Sequence, residues 1–116
     1  MPMQLSDRDF ENLVGEALDL LPPELMDAMS NVVILVRPHN DEDPNILGLY
    51  TGVALTERTT EYSGFLPDTI EIYRDPLMQM THTYEHLRRE VAITVLHEVG
   101  HHFGISDDWL HENGWG

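Results

Sequence analysis

The sequence contains no cysteine. Disulfide frameworks, cysteine-bearing zinc fingers and thiol nucleophiles are therefore excluded. Positive charge is scarce: six Lys and Arg stand against 21 Asp and Glu, for a net charge of -15. Binding to a phosphate backbone needs a basic footprint, so no nucleic-acid partner is expected. The same deficit argues against an anionic membrane surface. No apolar run approaches the ~18–20 residues of a membrane helix. The longest is Val32-Val33-Ile34-Leu35-Val36. Residues 1–10 hold neither a basic n-region nor an apolar h-region, so no signal peptide and a cytoplasmic location are expected. A chain of 116 residues, 41% hydrophobic, is the size of one domain with one modest core. A single domain over 1–116 is the expectation.

Histidine, by contrast, is plentiful. There are seven, and all but His39 fall between His82 and His111. Histidine titrates near neutral pH and is a common metal ligand, so the last third of the chain draws attention.

Periodicity predicts the elements. Ser6 reads as an N-cap with Asp9 three residues on, and Phe10, Leu13, Val14, Ala17, Leu18 and Leu21 recur at helical spacing. A helix over 7–20 follows, ended by Pro22-Pro23. Residues 32–36 read as a buried strand, and 39–44 as an exposed acidic loop. Residues 46–55 read as a short strand in which Gly48 and Gly52 mark a bend or a close backbone approach. Residues 69–74 alternate apolar and polar, the mark of a half-buried strand, which Asp75-Pro76 breaks. Leu87, Val91, Val95 and Val99 form an i, i+4 stripe that predicts a largely buried helix over 83–103 beneath the strands. Gly104 ends it in the left-handed conformation.

That helix carries His97-Glu98-Val99-Gly100-His101, an H-E-x-x-H pattern. Four residues turn a helix through 400°, so His97 and His101 point within about 40° of each other, one turn apart. Two imidazoles so placed can share one zinc ion. Glu98 lies about 60° from His101, too far round for a third ligand but placed to take a proton from a water at the metal. Gly104 lets the chain reverse, and Asp107 then offers a carboxylate to the open side of the metal. Asp108 and His111 are its rivals as third ligand.

The run from His97 to Asp107 resembles the metzincin zinc-binding pattern, with Asp in place of the third His. With the terminal Asn113-Gly114-Trp115 it is closer still to the small bacterial zincin-like family of minimal metallopeptidases. Leu47-Gly48-Leu49-Tyr50, Leu55-Thr56-Glu57-Arg58, Leu66-Pro67-Asp68 and Ile72-Tyr73-Arg74 are similar to that family too, so the resemblance spans nearly the whole chain. It implies an α+β zincin-like fold, a small mixed sheet packed on an N-terminal helix and a long active-site helix. It implies one Zn2+ held by His97, His101 and Asp107, Glu98 as general base, and a peptide or flexible protein segment as substrate. The strand before the active helix, residues 69–74, would lie at the cleft edge and pair with that peptide. The chain departs from larger metzincins in having no methionine after Met80 to form their methionine turn.

Other readings stand beside this one. The metal would serve a non-catalytic binding module as a structural staple. A metal-dependent ribonuclease is opposed by Glu98, Asp107 and the negative charge. His102 points away from the metal and is assigned a structural hydrogen bond. His82 and His86 are read as surface residues, with a second metal site as the alternative. Tyr50 and Tyr73 are read as packing groups. Trp109 and Trp115 are expected to anchor the C-terminal segment, and Met26, Met29, Met78 and Met80 to fill gaps.

Overall fold

Ser6 opens the first helix. Its hydroxyl accepts the Asp9 backbone N–H at 3.2 Å, satisfying one of the donors that a helix start leaves unpaired. The protein is described by a computed structural model covering residues 5–62, 66–106, 108 and 112. Helix α1 (Asp7–Leu18) buries Phe10, Leu13, Val14 and Ala17. A short helix α2 (Pro23–Ala28) follows, which the sequence reading did not anticipate. Proline halts a helix that it enters from within, but its missing N–H costs nothing at a first turn. Pro22-Pro23 therefore stops one helix and starts the next.

Among the described residues three strands form one sheet: β1 (Val32–Arg37), β2 (Gly48–Thr51) and β3 (Asp68–Tyr73), in the order β1-β3-β2. β1 runs parallel to β3, with Ile34 opposite Ile70, and β2 runs antiparallel to it, with Tyr50 opposite the same Ile70. Two expectations change here. The strand expected at the cleft edge is the central one: β3 is hydrogen-bonded on both sides and offers nothing to a further strand. Among the described residues the free edges belong to β1 and β2. As an edge strand, β1 is only half-buried, and Val33 is 42% exposed. The strand expected over 46–55 shrinks to four residues. Gly52 turns the chain away at φ 151°, and Leu55–Glu57 closes into a 3₁₀ helix.

Arg74 begins helix α3 (Arg74–Gln79) rather than ending a strand. Pro76 sits in its first turn, where proline is tolerated. Helix α4 (Tyr84–His102) then starts at Thr83, whose hydroxyl accepts the His86 N–H at 3.1 Å. The stripe Leu87, Val91, Val95 and Val99 is fully buried, against Phe10 of α1 and against Ile70 and Ile72 of β3. Met29 and Met78 pack at the rim of this core, whereas Met26 and Met80 are 42% exposed. The result is a small α+β fold: a mixed sheet on α1 and α4. No helix among the described residues is long and apolar enough to cross a membrane. Trp109 and Trp115 lie outside the described residues.

Candidate metal centre

The last two turns of α4 bring His97 and His101 together. Their Nε2 atoms stand 3.1 Å apart, with ring centroids at 4.8 Å and planes at 80°. A tetrahedral cation with Zn–N bonds of 2.0–2.1 Å would hold two such nitrogens ~3.3 Å apart. The pair therefore fits a shared zinc ion without rebuilding the helix. Asp107, the expected third ligand, lies outside the described residues, as does its rival His111. Among the described residues no group of three His, Asp or Glu gathers around one point.

Glu98 is buried beneath the start of β2. Gly48 makes that approach possible. A Cβ there would lie 2.9 Å from Thr94 Cγ2, 3.1 Å from Glu98 Cγ and 3.2 Å from the Glu71 carbonyl. The strand backbone rests directly on the helix next to the glutamate. Gly48→Ala should push Glu98 aside while leaving the two histidines in place. Overpacking of this kind costs about 1–3 kcal/mol. The expected result, read by thermal unfolding, is a melting temperature lowered by roughly 4–12 °C.

Gly104 closes α4. Its φ is 81°, its N–H donates to the His101 carbonyl, and the Ile105 N–H donates to the Gly100 carbonyl, both at 2.9 Å. These are the paired bonds of a left-handed helix stop. A Cβ at Gly104 would lie 2.0 Å from Thr56 Oγ1, so the 3₁₀ helix after β2 presses on this turn. The turn thus fixes the direction in which the chain leaves the two histidines at Ile105.

Behind the histidines lies a buried polar hub. Asp68, 3% exposed, opens β3. Its Oδ2 accepts from the Tyr50 hydroxyl and from Arg58 Nη2 at 2.8 Å, and its Oδ1 accepts from the Val53 N–H at 3.2 Å. Burial by itself would raise this carboxyl, but the bonds from Tyr50, Val53 and Arg58 outweigh it and hold the pKa below its ordinary value. His102 completes the hub. Its Nε2 accepts the Ser30 N–H at 3.3 Å, the structural bond expected of it. That leaves the proton of the neutral ring on Nδ1, which sits 3.4 Å from Asp68 Oδ2 but outside hydrogen-bond alignment. Burial first, and then the Arg58 charge, lower the His102 pKa and favour the neutral ring. The carboxylate thus ties the start of β3 to β2 and to the segment around Val53 and Arg58, with the His102 ring of α4 packed beside it. Asp68 had no signal in the sequence beyond its place in Leu66-Pro67-Asp68.

The tyrosines serve the scaffold. Tyr50 donates to Asp68, and burial followed by that bond raises its pKa. The Tyr73 hydroxyl is shared between Asn40 and Glu71, at 2.9 and 2.8 Å. His82 is exposed, and His86 Nε2 stands 3.5 Å from a Glu90 oxygen.

Comparison with known proteins adds one finding. A family model described as zincin-like metallopeptidase matches residues 29–115, which span β1 to the far side of the Gly104 turn. No curated protein matches the sequence.

Proposed function

The chain belongs to the zincin-like metallopeptidase family, and on that premise we propose that it is a zinc-dependent peptidase whose ion is held by His97, His101 and Asp107. The observation that carries this reading is the 3.1 Å approach of the two Nε2 atoms beside buried Glu98. A zinc ion there would polarise a peptide carbonyl and make a water at its open position acidic near neutral pH. Glu98 accepts the proton of the attacking water and delivers it to the departing amine, so the carboxylate ends as it began. The neighbouring face of α4, under β2, restricts the approach of bulk water to Glu98. The free edge of β2 supports a substrate in extended form, since a strand added there gains backbone hydrogen bonds without depending on side-chain identity. Substrates are accordingly peptides or flexible protein segments, and the chain's charge of -15 argues against nucleic acid.

The test is metal analysis together with digestion. Purified protein should carry one zinc per chain, and His101→Ala should lose it. The zinc-loaded protein should release amines from an unstructured polypeptide, and chelator should stop this. Failure to cut any member of a broad peptide library, together with a large fall in melting temperature on chelation, would instead mark the metal as a staple.

A further inference from the structure

A cavity of about 240 Å³ opens beside the candidate centre, between α4 and the start of β2. It is lined by Leu47, Ile93 and Thr94, and by His97 and Glu98, which lie about two helical turns along α4 from Glu90, also in the lining. Its volume is well beyond the ~10–15 Å³ that admits a single water. Thr94 commits its hydroxyl to the Glu90 backbone carbonyl at 2.8 Å and turns its methyl toward Gly48. The lining therefore combines apolar groups with two carboxylates.

We propose that this cavity is a specificity pocket for a lysine or arginine side chain next to the bond being cut, with Glu90 as the residue that selects it. The proposal rests on the peptidase reading above. Residues 90, 94 and 98 follow one face of α4, and eight residues advance a helix by ~12 Å. A lysine or arginine side chain extends about 6 Å from its Cα at ordinary bond lengths, and Glu90 supplies the remaining reach. A short side chain would not reach Glu90. The methylene stem suits Leu47 and Ile93 while the cationic head meets the carboxylate. The Glu90 side chain is 20% exposed and pairs with His86, which is charged only when protonated. A substrate cation thus meets a carboxylate that water screens only in part. An acidic substrate side chain would face Glu90 and Glu98 together, and that repulsion sharpens the choice. The net charge of -15 draws basic peptides toward the chain from a distance.

The test uses the full chain and a set of peptides on one fixed scaffold, carrying Lys, Arg, Leu, Gln or Glu at each position flanking the cleaved bond. Binding is read by fluorescence anisotropy on zinc-loaded Glu98→Gln, and cleavage by mass spectrometry on the unaltered protein. At one flanking position Lys and Arg should bind about tenfold tighter than Leu or Gln, and Glu most weakly. Adding Glu90→Gln to the Glu98→Gln protein should flatten the series, and Glu90→Arg should invert it, with melting temperature and zinc content checked for each. Equal affinities across the series, or a basic preference that survives Glu90→Gln, overturns the proposal. A basic preference in binding without cleavage of any peptide supports the pocket and overturns hydrolysis instead, so the two failures are distinct.

Discussion

Glu98→Gln is expected to lower peptide turnover by about 10²–10⁴-fold, the usual worth of a positioned proton acceptor, while the protein still binds one zinc ion. The amide matches the carboxylate in size, so contact with Gly48 is kept and the helix is undisturbed. On the proposed mechanism, what is lost is a site that can take the water's proton and return it to the leaving amine. The measurement pairs turnover on a zinc-loaded sample with its metal content. Activity within threefold of the parent at full zinc occupancy would remove Glu98 from the mechanism. Loss of zinc would show instead that the carboxylate supports the metal. The same pair of measurements separates this variant from His101→Ala, in which the ion itself should go.

Asp68→Ala is expected to destabilise the fold by about 3–5 kcal/mol, the cost of leaving one partner of a buried ion pair behind. The Arg58 side chain is only 10% exposed and would face its former partner's cavity. The Tyr50 hydroxyl and the Val53 N–H would lose their shared acceptor as well. At about 4 °C per kcal/mol for a chain of this size, the melting temperature should drop by roughly 12–20 °C. Calorimetry with chelator present keeps the metal out of the comparison. Asp68→Asn retains the shape and should lose less. The carboxylate also sets an acid limit. Its folded pKa lies below the ordinary 3.8, so its contribution is fully present above that value and is lost as pH falls through the lower folded one. The parent's melting temperature should therefore fall more steeply than that of Asp68→Asn below pH ~4. Parallel curves would show that Asp68 is not the hub described here.

The two helices that matter most were legible because their signals are local. An i, i+4 stripe and capping residues a turn away fix α1 and α4 without reference to the rest of the chain. The histidine pair follows from the same geometry: once 97–101 is helical, both rings must lie on one side, and Gly104 must permit the stop. Gly48 was visible as a point of close approach, though not what approached it. Helices α2 and α3 were missed because a proline reads as an end until one knows that it occupies a first turn. The C-terminal ligand of the proposed centre, Asp107, was read from its spacing and from the family resemblance, and lies outside the described residues.

The sequence alone thus determined the register of His97, Glu98 and His101, because helix pitch relates residues four apart whatever surrounds them. Only tertiary structure decided which strand is central, which edge is free, and which buried side chains meet. Placing β3 between β1 and β2 takes 69–74 off the edge and leaves the free edges, among the described residues, to 32–37 and 48–51. It also gathers Asp68, Arg58, Tyr50 and His102 from four separate segments. Strand neighbours are chosen by contacts distant along the chain, and a side-chain pattern of period two is the same at the edge of a sheet as at its centre.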